Sequence, residues 1–221
     1  MPRFSRAVPL RALLSRALLT LALFSVSARP LAAQAWAYPA FQPPRVVARE
    51  FNFGIADAGN AGTTLLFQWR EEAGAQNQLS LDVGLADPQY GNVLVLLGGQ
   101  FARQLATSGP DMPLDFLFTF GAFLAAGDGT LFRMPVGVSV GHRFALDQGM
   151  ALTPYLHPRI SVDICGSCRR GSSDLAVDFD LGVNFDITRS LAIRASALLT
   201  GSDRFDDGFG ISLAWRPPGL R

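Results

Sequence analysis

The stretch 174–187, DLAVDFDLGVNFDI, constrains the fold more than any other part of this chain. Leu175, Val177, Phe179, Leu181, Val183, Phe185 and Ile187 alternate with Asp174, Ala176, Asp178, Asp180, Gly182, Asn184 and Asp186. A strict period of two makes one face wholly apolar and gives the other its acids. A half-buried strand in a soluble sheet shows the same alternation, but usually over about five or six residues. A strand tilted across a bilayer needs about nine to eleven, with lipid on one face and a polar lumen on the other. Length and the acidic second face together point to the bilayer.

The rest of the chain repeats the pattern. Strand-like runs are expected at 46–57, 63–70, 78–85, 93–104, 114–124, 131–144, 152–164, 174–187, 191–199 and 208–216, separated by Gly-, Pro- and Asp-bearing turns such as Gly127-Asp128-Gly129. The run 93–104 is apolar on both faces at its start, so its register stays open. Pro158 lies inside a run and cannot donate to a ladder, which predicts a local bulge there. Short strands in unbroken succession imply up-and-down antiparallel pairing, and closure removes the exposed edges. The expected fold is all-β: a closed antiparallel transmembrane β-barrel of about ten strands, with eight as the other even count. Open aqueous channels arise at about sixteen strands, so this lumen should be narrow and filled.

Bulk properties agree. Mean hydropathy is only +0.23, which excludes a bundle of transmembrane helices. A net charge of +1 leaves no basic footprint for nucleic acid. Residues 1–35 read as a cleaved secretory signal peptide. Arg3, Arg6, Arg11 and Arg16 precede the apolar run 17–28, and Ala33-Gln34-Ala35 supplies the small-x-small site. Residues 36–44 read as an aperiodic, Pro-rich periplasmic lead-in, 45–217 as the barrel and 218–221 as a short tail. With both termini periplasmic, Phe51, Trp69, Phe101, Phe144, Phe185 and Trp215 gather near one set of strand ends, as an interfacial girdle requires.

On the signal peptide, the hairpin segment 144–155 (FALDQGMALTPY) and the final strand 208–215 (GFGISLAW), residues 45–217 resemble the small bacterial outer-membrane β-barrels of the OmpA-like and opacity-porin-like type. The resemblance implies a bacterial outer-membrane location and contact with outer-membrane lipid. It also implies that Phe209, Ile211, Leu213 and Trp215 form the terminal signal read by the barrel-assembly machinery. The tail 216–221 departs from the pattern, since such chains usually stop at the aromatic.

Candidate chemistry is sparse. Cys165 and Cys168 have metal or redox spacing without further ligands or an α/β context, so a local disulfide in an exported loop is the expectation. Arg169 and Arg170 beside them could touch lipopolysaccharide phosphates. His142 falls on the lipid side near a strand end. His157 and Ser161 share the lumen face but lie about 13 Å apart along one strand, beyond hydrogen-bond reach. Arg133, His157, Arg159, Asp163, Asp178 and Asp180 read as a polar network in the lumen, with Arg159 opposite Asp178 or Asp180, because buried charges must be paired. No calcium loop or phosphate-cradling motif is present, and no cofactor is expected. The expected role is structural, weakly transporting or surface-interacting, without catalysis. The alternatives are a lipid-active barrel enzyme of the lipid A deacylase kind and a soluble periplasmic barrel for a hydrophobic ligand.

Overall fold

A computed structural model describes residues 40–59, 62–89, 91–127, 129–166, 173–202 and 206–218. The signal-peptide segment and residues 36–39 lie outside them. Ten long strands are β1 (Arg49–Asp57), β2 (Thr63–Glu72), β3 (Asn77–Asp87), β4 (Leu94–Ala106), β5 (Asp115–Ala126), β6 (Thr130–Gly141), β8 (Ala151–Cys165), β9 (Ser173–Asp186), β10 (Leu191–Thr200) and β11 (Gly208–Trp215). The two-residue β7 (Phe144–Ala145) pairs with β8 alone. Each long strand pairs antiparallel with its chain neighbours, and β1 pairs with β11 from Phe51↔Trp215 to Asp57↔Phe209. That last ladder closes the sheet into a barrel of up-and-down connectivity.

Two local expectations need correction. The run read as 131–144 divides, with β6 ending at Gly141 and Phe144 returning to pair with Leu152 of β8. Pro158 makes no bulge. β8 runs against β9 in one unshifted register from Ala151↔Asp186 to Ile164↔Ser173, through Pro158↔Phe179. The ladder to β6 instead skips between Gly137↔Arg159 and Val140↔Leu156 and resumes in the same register. A proline lacks one N–H, so it costs bonding on one side only and the register can continue. Among the described residues, the one register shift between paired strands lies between Gln104 and Ala106 of β4.

The two faces of the sheet are sorted inside out relative to a soluble protein. Phe53, Leu65 and Leu175 point outward with 55%, 57% and 67% exposure, while Glu50, His157, Asp178, Asp180 and Arg194 point inward with 0%. The open register of β4 resolves with Leu94 and Leu96 inside and Val95 and Leu97 outside. At the end where β1 finishes and β11 begins the lumen is apolar, filled by Leu66, Leu94, Leu96, Phe123 and Leu131. Phe123 needs glycine across from it, since a Cβ on Gly98 would meet its ring at 1.9 Å. At the other end, Phe51 stacks on Trp215 at 5.6 Å and pairs in register with Trp69, a row of aromatics across the closing seam.

The closing ladder makes a direct prediction. Phe53 and Leu213 are register partners on the outer face, and facing Cα atoms in an antiparallel pair lie within disulfide reach. The double variant Phe53→Cys/Leu213→Cys should cross-link under mild oxidation and run faster than its reduced form on denaturing gels. An open sheet would leave both thiols free.

Candidate functional site

A barrel of about eight strands is filled by side chains alone, and ten strands leave more room. The chain fills that room with its own backbone. Residues 40–47, expected as a tail clear of the sheet for 36–44, run inside the lumen, with Phe41 at 0% exposure. Their polar groups bond to lumen side chains in place of a ladder. Arg70 Nη2 donates to the Ala40 carbonyl at 3.1 Å and Ser139 Oγ to the Gln42 carbonyl at 2.7 Å. Gln104 Nε2 donates to the Pro44 carbonyl at 2.9 Å, while the Val46 and Val47 amides donate to Gln104 Oε1 and Gln78 Oε1, both at 3.0 Å. Pro43 and Pro44 carry no N–H, so the segment brings fewer donors that need burial partners. Phe41 adopts φ +48°, unusual for a bulky side chain. Its ring lies over two glycines, where a Cβ would meet it at 3.2 Å from Gly54 and 2.6 Å from Gly210.

Below Phe41, Glu50 gathers three guanidiniums. Arg70 donates to Oε1 at 3.0 Å, Arg194 to both oxygens at 2.7 and 2.6 Å, and Arg216 to Oε2 at 2.9 Å. Arg216 also reaches Asp186 Oδ1 at 3.0 Å, and Arg143 reaches Asp186 Oδ2 at 3.2 Å. Burial works against the charge of Arg216, but Glu50 and Asp186 outweigh it and hold its pKa above the ordinary arginine value. These groups, with residues 42–47, line a cavity of about 360 Å³ at the mouth where β1 begins and β11 finishes.

Midway up the lumen, β6, β8 and β9 bring together all six residues of the expected polar network. Arg133 binds Asp178 and stands 3.3 Å from Asp163. Asp178 also accepts from Ser161 at 3.3 Å and Thr200 at 2.7 Å. Arg159 is opposite Asp178 in register and donates to Asp180 at 3.0 Å. His157 Nδ1 lies 3.3 Å from Asp180 Oδ2, and His157 Nε2 shares a 2.8 Å hydrogen bond with Thr119 Oγ1. Hydroxyl, imidazole and carboxylate thus form a chain, the order that nucleophilic catalysis uses. Thr119, His157 and Asp180 are all buried, and a cavity of about 20 Å³ beside Ala40 and Arg159 includes none of them.

Other expected residues are dispersed. His142 lies past the end of β6 against the Pro113 carbonyl and the Phe144 ring. Phe209, Ile211, Leu213 and Trp215 all face outward on β11. Cys165 ends β8, buried, while Cys168, Arg169 and Arg170 lie outside the described residues, and with them the expected disulfide.

Sequence reasoning missed Glu50, Arg70, Asp186, Arg194 and Arg216 as a unit, and missed the seated segment. The available signal was the row of neutral amides Gln68, Gln78, Gln100 and Gln104 on lumen positions of β2–β4. Gln100 and Gln104 face no charge across their ladders, and an amide so placed suits a backbone partner.

No protein-family model matches the chain, and no curated protein matches it. Among solved structures, a bacterial polysaccharide outer membrane secretin is 8% identical, with TM-score 0.45, 70% of this chain covered and 56% of that one. The chain therefore spans little more than half that structure's length. The β-domain of the Bordetella autotransporter BrkA is 13% identical at TM-score 0.43, over 76% of this chain and 98% of that one. The translocator domain of the Neisseria meningitidis autotransporter NalP is 9% identical at TM-score 0.35, over 94% and 96%. At TM-scores below 0.5 these likenesses carry no argument, and the fold stands on the chain's own strand pairing.

Removing the Phe41 ring should show whether the segment is an integral part of the lumen. Phe41→Ala should cost about 3–5 kcal/mol in urea unfolding, the usual range for a buried phenylalanine. A change within error would mean that the segment contributes no packing.

Proposed function

We propose that this chain is an integral outer-membrane β-barrel, exported by its signal peptide, whose lumen is sealed by its own N-terminal segment. Its role is structural or surface-interacting, with at most weak transport, as in the small OmpA-like and opacity-porin-like barrels it resembles. The outward apolar face carries this reading. Leucine, valine, isoleucine and phenylalanine cover the outside of every long strand, while the carboxylates of Glu50, Asp163, Asp178 and Asp180 are buried within. In water that arrangement would expose an apolar belt far larger than soluble monomers tolerate. In lipid it is the stable one, because closure satisfies every ladder. A soluble barrel for a hydrophobic ligand would need the reverse sorting.

The lipid-active enzyme is the second reading, and the Thr119–His157–Asp180 chain is the observation that favours it. We propose no catalysis, because those groups are sealed beneath packed side chains and away from both rims. We further propose that β11 is read by the barrel-assembly machinery, with no cofactor involved.

Fractionation and mutation test the membrane reading together. The mature protein should co-sediment with outer membrane and resist carbonate extraction, and soluble periplasmic monomer would contradict it. In lipid vesicles Leu181→Arg should cost roughly 2–4 kcal/mol if near the midplane. Asp178→Leu should also destabilise, because it removes a buried carboxylate that Arg133, Ser161 and Thr200 all bond. A neutral Leu181→Arg with a stabilising Asp178→Leu would invert the faces.

A further inference from the structure

We infer that the mouth of the barrel where β1 begins and β11 finishes is a binding site for a small multivalent oxyanion, a phosphate- or carboxylate-bearing solute. The argument is one of acceptor capacity. A carboxylate offers about four lone-pair positions to donors. On Glu50 all four are taken by Arg70, Arg194 and Arg216. On Asp186 they are taken by Asn184, Arg216 and both Nε and Nη2 of Arg143. These are the two carboxylates in the cavity wall, and six arginines line the same wall.

Of the six, Arg45 pairs with Asp115 outside the wall at 3.0 Å, and with both wall carboxylates full the donors still open have no acceptor among the described residues. Arg189 lines the cavity and makes no hydrogen bond or ion pair with the described residues. Arg143 Nη1 and Arg216 Nη2 have no acceptor among the described residues either, although the rest of each guanidinium is held in place. Guanidiniums fixed at one edge and open at the other are preorganised donors for planar or tetrahedral oxyanions. The volume, about 360 Å³, lies at the small end of ligand pockets, which run from about 300 to 1,000 Å³. The solute is small, and one face of it would rest on residues 42–47 of the seated segment.

The test uses the refolded full-length mature protein in a zwitterionic detergent, so its outcome is independent of membrane residence. Calorimetric titration with pyrophosphate and with citrate should give saturable one-to-one binding for at least one of them, and none for glucose. The better ligand assigns phosphate or carboxylate chemistry. Arg189→Gln removes a guanidinium that supports no other contact, and it should weaken binding about tenfold or more while leaving unfolding unchanged. Arg103→Gln, on the outer face of β4, should leave affinity as it was. Absence of saturable binding by both anions, or equal affinity in wild type and Arg189→Gln, would overturn the inference.

Discussion

The lumen holds more charge than any soluble core would, and the structure depends on how that charge is met. An ion moved from water into a protein interior costs several kcal/mol unless partners replace its hydration. Glu50 has 0% exposure, and three arginines from β2, β10 and the residue after β11 converge on it. These contacts tie the seam strands to the barrel wall around them. Closure of the sheet and pairing of the lumen charges are therefore one problem solved by one set of residues.

The second constraint is space. Ten strands enclose more volume than their own side chains fill, and long arginines occupy only part of it. The segment 40–47 takes up the remainder, and its carbonyls add acceptors for Arg70 and Arg194 beyond Glu50. Phe41 then joins the aliphatic layer to the charged half, since it belongs to the same apolar cluster as Leu66 and Phe123. Stability, lumen closure and the mouth cavity thus share a wall.

Most of the fold was legible in the sequence because membrane strands advertise themselves by parity. Long alternating runs showed which residues share a face, and the turn at 165–173 put Arg159 opposite Asp178 or Asp180, of which the register selects Asp178. The bulge expected at Pro158 was wrong because a missing N–H disturbs one ladder without shifting register. The seated segment was illegible for a physical reason. It has no period, since it pairs with side chains from several strands and not with a neighbouring strand. Glu50, Arg70 and Arg194 each sat on the polar side of a run, but their meeting requires closure between β1 and β11, which no local pattern encodes. The Thr119–His157 contact is of the same kind, joining β5 to β8 across the interior.

The central claim is that the apolar face of this barrel meets lipid and the charged face is sealed inside. Nitroxide labels at Val177, Phe179 and Leu181 of β9 and at Ile211 of β11 would test it without touching the lumen. In lipid vesicles the account predicts that all four collide readily with oxygen dissolved in the bilayer and are shielded from an aqueous nickel chelate. Labels open to the chelate and shielded from oxygen would contradict it.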